Sequence, residues 1–334
     1  MKIANNQFLI YTFFAAFLIG SSYNTYVHYN FEHTTIDCRA YINVANGDFK
    51  SATVTHRYRV IVPILAKAVS FPISLVYKKL WPHRADKDWP LKLAFMIINV
   101  SIMSLAMLLL YQWLQRFNIN NYIALITCVA LFSGRWYNYM AALPLTDSLY
   151  LLIVILTCFA ITSKNWKITL LCIFIGPWAK ESFLFLAPLL FFFGAHKWRQ
   201  IPFWLASGAL VFGFRYIIDL SIHYSALGSI QEYGGHFNDI VYTFKKLASV
   251  RGLGELFSVL GIFTFAIIWA ISKIEIRKSI PNALLWLLLI FFFHAFLSGE
   301  AARMFSFAAP LWAFLLAKAF TALQARFLIF NQSI

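Results

Sequence analysis

Charge is what this sequence is shortest of. Only 12% of its residues are Asp, Glu, Lys or Arg, too few to coat a folded chain of 334 residues with polar surface. That shortage excludes an ordinary water-soluble globule. Acids are the scarcer sign, with 13 Asp and Glu against 28 Lys and Arg, for a formal net charge of +15. The four cysteines, Cys38, Cys128, Cys158 and Cys172, show neither a CxxC pair nor zinc-type spacing, so no disulfide or metal framework is implied. Three of them sit in apolar runs, where a thiol packs as a small hydrophobe. The chain also lacks an internal repeat, a low-complexity tract and any stretch of water-soluble composition.

What is present is apolar: 61% hydrophobic and 19% aromatic residues, with a mean hydropathy of +0.69. Lipid has to be the solvent. The expected fold class is therefore all-α, a polytopic transmembrane helical bundle. A span needs about 20 apolar residues, fewer where neighbours shield its ends. Candidate spans are read at 8–25, 91–113, 122–134, 145–162, 167–178, 182–194, 202–222, 255–273, 281–297 and 303–322, ten in all. The first follows Lys2 without a small-x-small cleavage site and reads as a retained signal-anchor helix.

The segment 60–80, VIVPILAKAVSFPISLVYKKL, is apolar but carries Pro63, Lys67 and Pro72. A lysine near mid-span costs about 2.5–3.5 kcal/mol on insertion scales, and interior prolines each remove a backbone donor. Its placement sets the sidedness of every later loop. With 60–80 on the surface and the N-terminus cytoplasmic, Arg116, Lys164, Lys167, Lys197, Arg199, Lys273, Arg277, Lys278 and Arg326 all fall inside. With 60–80 spanning, the same set falls outside, against the positive-inside rule. We therefore expect about ten spans, both termini cytoplasmic, and 60–80 as an interfacial amphipathic helix on the outer face. The basic excess then serves topology and contact with anionic lipid headgroups, not nucleic acid.

On this topology four charged turns share the outer face: 31–59, RWYNYMAALPLTDS (135–148), GPWAKES (176–182) and SGEAAR (298–303). In the first, Asp37 and Tyr41 lie one turn apart on the same face if 36–46 is helical. Asp37 suits a general base that deprotonates an acceptor hydroxyl; the plainer role is a helix cap or solvated loop acid. His56, Arg57, Tyr58 and Arg59 suit a phosphate, whose oxygens guanidinium forks bind bidentately; the plainer role is snorkelling to headgroups. Asp147 is a candidate substrate-facing carboxylate and equally a cap for the helix beginning at Leu149. Lys180 and Glu181 lie between apolar runs, where ionisable groups mark functional sites by default; the alternative is an ion pair with Asp147, Glu300 or Arg303. Glu300 and Arg303, three apart, either pair locally or aim Arg303 at a phosphate. His294, inside FFFHAF, reads as a satisfied core histidine. The loop 223–254, with Glu232, the Gly234-Gly235 pair, His236 and Asp239, suits an acceptor-side loop without a specific motif.

At these residues the chain resembles the GT-C superfamily of integral-membrane glycosyltransferases, which use polyprenyl-phosphate-linked sugars. The resemblance lies in order and placement. A first span is followed by an outer loop with an acid (Asp37), then by an amphipathic helix entered through HRYRVIVPILA. After these come a TDS turn similar to that of GPI-type mannosyltransferases and a KES turn like the Lys-Glu of many bacterial members. It covers residues 1–195, a catalytic transmembrane module with the outer loop 26–90; residues 196–334 form a variable C-terminal transmembrane module. There is no DxD after the first span, Asp37 stands away from the span end, and no large outer C-terminal domain is present, so Glu32 and Asp48 stay open beside Asp37 as the base. The resemblance implies an inverting sugar transfer on the periplasmic or lumenal side of a membrane, in bacteria the inner one. The acceptor would be a hydroxyl of a glycan, lipid or protein. In that reading Asp37 is the base, Arg57, Arg59, Lys180 and Arg303 hold phosphate, and Asp147 and Glu181 orient sugar or cations. No cofactor is required, and a divalent cation is compatible with it. Two other classes compete. A transporter or flippase predicts inverted repeats and charges deep in two symmetric halves, and a non-catalytic envelope-assembly protein predicts one-sided charges without a cavity.

Overall fold

A computed structural model describes residues 2–28, 36–85, 87–224 and 239–332. Glu32 and the loop residues Glu232, Gly234, Gly235 and His236 lie outside them. Among the described residues every regular element is a helix. In chain order these are α1 (Lys2–His28), α2 (Ile36–Ala45), α3 (Val54–Arg57), α4 (Ile61–Leu80), α5 (Pro82–Ala85), α6 (Trp89–Gln115), α7 (Asn121–Phe132), α8 (Arg135–Ala142), α9 (Asp147–Ser163) and α10 (Trp166–Ala179). A 3₁₀ turn (Glu181–Leu186) follows, then α11 (Ala187–Phe193), α12 (Lys197–Ser221), α13 (Asp239–Leu247), α14 (Val250–Leu260), α15 (Phe263–Ser272), α16 (Ile274–Lys278), α17 (Asn282–Ser298), α18 (Ala301–Ser306) and α19 (Ala309–Gln332).

Four of these helices are long and apolar enough to cross a membrane: Asn6–His28 within α1, α4, α6 and α12. The count is six if the bent pairs α8–α9 and α14–α15 each form one span. The protein is thus an all-helical chain with several helices fit for an integral membrane protein. The remaining expected spans coincide with shorter apolar helices, α7, α10, the 3₁₀ turn with α11, α17 and α19. By length and composition α4 stands with the long helices, so those two measures do not set it apart as interfacial.

The bundle is built around α6 and α9. Helix α6 packs against α1, α4, α7, α8 and α9, and Ala94, Met103, Ala106 and Met107 along it are fully buried. Small and unbranched residues let helices approach closely where lipid gives no hydrophobic drive for association. Helix α9 is apolar on all sides after its first turn, the pattern of a helix enclosed by others, and every residue from Asp147 to Ile161 is buried.

Two breaks position the charged turns. Pro144 restricts the residue before it to extended backbone, and Leu143 there ends α8 at φ −99° and ψ 159°. The chain then turns by 118° into α9. The carbonyls freed by the break find a partner in Asn99 of α6, whose side-chain amide donates to Leu143 O at 2.8 Å and Leu145 O at 3.1 Å, as buried backbone demands. The second break separates α10 from the 3₁₀ turn. At Gly176 a methyl group would overlap the ring of fully buried Phe183, so this glycine lets the turn carrying Lys180 and Glu181 fold back on α10. Gly176→Ala is expected to lower stability by about 1–3 kcal/mol, the usual cost of overpacking. Thermal unfolding in detergent measures it; an unchanged transition would show that Phe183 moves aside freely.

Candidate functional site

Helix α2 begins with Asp37 in its first turn, where a carboxylate complements the positive end of the helix. It ends at Asn46 and Gly47, the latter at φ +81°, a conformation that favours glycine. Asp37 and Tyr41 share one face, and both reach the site from it. Asp37 Oδ2 accepts from Arg303 Nη1 at 2.6 Å, and Oδ1 lies 3.0 Å from His56 Nε2. His56 Nδ1 in turn lies 2.5 Å from Thr53 Oγ1 and 3.0 Å from Thr55 Oγ1. With Nε2–H donating to Asp37, Nδ1 accepts from these hydroxyls, which fixes the ring's orientation.

Arg303 is the hub. Besides Asp37 it donates to Glu300 Oε2 at 2.6 Å and, through Nε at 2.8 Å and through Nη2, to Asp147 Oδ2. Asp147 is wholly buried at the start of α9, and its other oxygen accepts from Lys180 Nζ at 3.3 Å. Neighbouring Ser148 donates to Asn99 Oδ1 at 2.6 Å, so the turn at α9 is tied to α6 through the same asparagine that holds the Pro144 break. Thr146, at the cap position, makes no side-chain cap bond. Lys180 has extended backbone (φ −164°, ψ 140°), which aims its ammonium inward over the rings of Phe307 and Tyr150, 5.0 and 5.5 Å from their centroids.

Glu181 points the other way, as adjacent residues do. It accepts from Arg59 at 2.9 Å and from Arg215 of α12 at 3.1 Å, and Arg59 Nη1 donates to Tyr41 Oη at 2.7 Å. These side chains form two ionic clusters, one centred on Arg303 and one on Glu181, which meet at the Lys180–Glu181 peptide and at the edge contact of the Tyr41 and His56 rings, 5.1 Å apart; together they make up the ionic network of the site.

This network forms one wall of a cavity of about 530 Å³. Asp37, His56, Arg59, Lys180, Glu181, Glu300 and Arg303 line it, and Leu184, Phe185, Leu297 and Met304 supply an apolar side. Asp147 lies behind this lining and joins Arg303 to Lys180. Arg57 and Tyr58 are not part of it. Arg57 donates to Phe49 O at 2.8 Å and Ala52 O at 3.0 Å, and its guanidinium covers the Tyr224 ring at 4.3 Å. Tyr58 donates to Asp219 at 2.6 Å. These two residues lock α3 onto the end of α12. Asp48 is not in the lining either; its carboxylate accepts from Ser51 N at 3.1 Å, an ordinary turn contact.

The electrostatics follow from this geometry. Burial works against ionisation of Asp37, but the Arg303 guanidinium and His56 outweigh it and hold the carboxyl well below the usual carboxylate range. Burial draws the Lys180 ammonium down to about 8, with the Asp147 carboxylate acting against the shift. Four acids (Asp37, Asp147, Glu181, Glu300) face four basic side chains (Arg59, Lys180, Arg215, Arg303). Among the described residues no three His, Cys, Asp or Glu side chains cluster as metal ligands.

Sequence reading passed over three members of this region. Arg215 and Asp219 stand four apart inside the segment expected to span at 202–222, and ionisable groups within such a segment are a signal in themselves. His294 on α17 lines the cavity; nothing in FFFHAF separates a lining histidine from a core one. The chain matches no family model, no curated protein and no solved structure.

Proposed function

We propose that this protein is a GT-C type glycosyltransferase that moves a sugar, with inversion, from a polyprenyl-phosphate donor to an acceptor hydroxyl. The observation that carries the reading is the cavity itself, lined by buried acids and bases together with apolar side chains. A lipid phosphate has that chemistry. Its tail suits Leu184 and Phe185, both exposed at the cavity rim, and its phosphate suits Lys180, Arg59 and Arg303. Enclosure strengthens each of these contacts relative to water.

In this reading Asp37 accepts the proton of the acceptor hydroxyl as its oxygen attacks the anomeric carbon and the bond to the phosphate oxygen breaks. A carboxylate whose proton affinity is held down by Arg303 is a weak base. Movement of that guanidinium toward the leaving phosphate raises it as negative charge builds there. Binding of the donor and activation of the acceptor are thereby linked through one side chain. Asp147 keeps Arg303 and Lys180 oriented, and Glu181 does the same for Arg59.

The proposed topology has about ten spans, an outer-face site, and α4 lying at the interface. Lys67, near the centre of α4, donates to Asn46 in the loop after α2 at 2.7 Å, which supports placing mid-α4 at loop level. The four native cysteines are buried, so a membrane-impermeant thiol reagent reads introduced cysteines cleanly. Lys50→Cys is expected to label from outside and Lys278→Cys only after permeabilisation; the reverse pattern contradicts the topology. A bacterial inner membrane with the site facing the periplasm is the setting this predicts.

The function is tested with protein in liposomes and a panel of polyprenyl-phosphate sugars with candidate acceptors. Consumption of one member with release of free polyprenyl phosphate supports transfer, and consumption of none counts against it. A pH dependence follows from Lys180. Its ammonium is the phosphate-binding form, present below about 8 and lost above it. Affinity for bare polyprenyl phosphate is therefore expected to fall between pH 7 and 9, and Lys180→Arg, which stays charged, to flatten that fall. Equal pH slopes for the two proteins would remove Lys180 from phosphate binding.

A further inference from the structure

Two buried polar atoms of the cavity lining have no partner among the described residues, Ser182 Oγ beside Glu181 and His294 Nδ1. His294 is 9% exposed, lines the cavity, and its Nδ1 has no hydrogen-bond partner among the described residues. Its ring sits 5.6 Å from that of Phe185, and Leu184 and Leu297 line the same cavity. A buried ring nitrogen without a partner is costly to the empty protein, and a ligand that supplies the partner recovers the loss. Phosphate is already provided for by Lys180, Arg59 and Arg303. An imidazole nitrogen left over beside them matches an uncharged group that both donates and accepts, which is a hydroxyl.

Resting on the donor-lipid reading above, we infer that His294 is a sugar-binding residue: its Nδ1 hydrogen-bonds a hydroxyl of the phosphate-linked sugar and helps select which sugar the cavity holds. The cavity is divided accordingly. The phosphate faces the 3₁₀ turn and α18, the tail leaves across Leu184 and Phe185, and the sugar lies against α17.

The test is equilibrium binding in detergent of two probes: decaprenyl phosphate alone, and decaprenyl phosphate carrying mannose, glucose or galactose. The variants are His294→Phe, which removes the nitrogen, and His294→Asn, whose amide falls near the Nδ1 position. We expect His294→Phe to bind the preferred glycosylated lipid about tenfold more weakly, the loss of one hydrogen bond in a buried site. Bare decaprenyl phosphate binding stays at the wild-type level, and His294→Asn recovers most of the loss. Equal binding of the glycosylated lipid by wild type and His294→Phe overturns the inference while leaving the donor reading intact. So does an equal loss for both probes. Binding of neither probe by the wild type overturns both. Should phenylalanine prevent folding, His294→Gln, which carries its amide beyond the Nδ1 position, makes the same comparison.

Discussion

Replacing Arg303 with methionine is expected to destabilise the folded protein by about 3–5 kcal/mol, the cost of removing one partner from a buried ionic cluster. Arg303 alone joins Asp37, Asp147 and Glu300, and Asp147 has no exposed side-chain surface. Without the guanidinium, Asp147 keeps only Lys180, at 3.3 Å, and two acids beside it lose their counter-charge. The effect belongs to the stranded acids, not to a large net gain from the pair itself. The double substitution Asp147→Asn with Arg303→Met is therefore expected to recover part of the loss, and unfolding in detergent with increasing denaturant measures both. A loss below about 1 kcal/mol for the single variant would mean that water reaches the cluster and that its buried geometry is not maintained in the membrane.

The second large effect is on activity. Asp37→Asn keeps the shape of the side chain and its ability to accept from Arg303, but an amide does not take up a proton. Transfer is expected to fall by roughly 10²- to 10⁴-fold, the usual contribution of a positioned general base, with donor binding close to wild type. Stability is expected to fall as well, because Arg303 and His56 favour the ionised carboxyl. The diagnostic is activity per folded protein. A fall that follows only the folded fraction would make Asp37 a structural counter-ion of Arg303. Full activity would pass the base to Glu32.

A helix over 36–46 was the condition for Asp37 and Tyr41 to share a face, and the structure has one at Ile36–Ala45. The convergence of the charged turns was legible too, and the structure joins Asp37, Asp147, Lys180 and Arg303 in one cluster. The choice of partners was legible in part: the pair of Lys180 with Asp147, offered as an alternative, forms at 3.3 Å. Arg303 and Asp37 are 266 residues apart, and sequence offered Arg303 its neighbour Glu300 but not Asp37. It has both. Arg57 and Arg59 look equivalent in HRYR, yet the backbone between α3 and α4 sends the first toward Asp219 and the second toward Glu181. Adjacency also misled at the spans. Pro144 and the extended Lys180 divide apolar stretches into short bent pieces, so hydropathy locates the segments without giving the angle at which they cross.

The most direct test of the account is a side-by-side measurement of free polyprenyl phosphate released from the panel donors by wild type and Asp37→Asn in liposomes supplied with acceptor. The account predicts release by the wild type from one donor, dependent on acceptor, and release by Asp37→Asn reduced at least a hundredfold. No release from any donor by folded wild-type protein, or equal release by the two proteins, would contradict it.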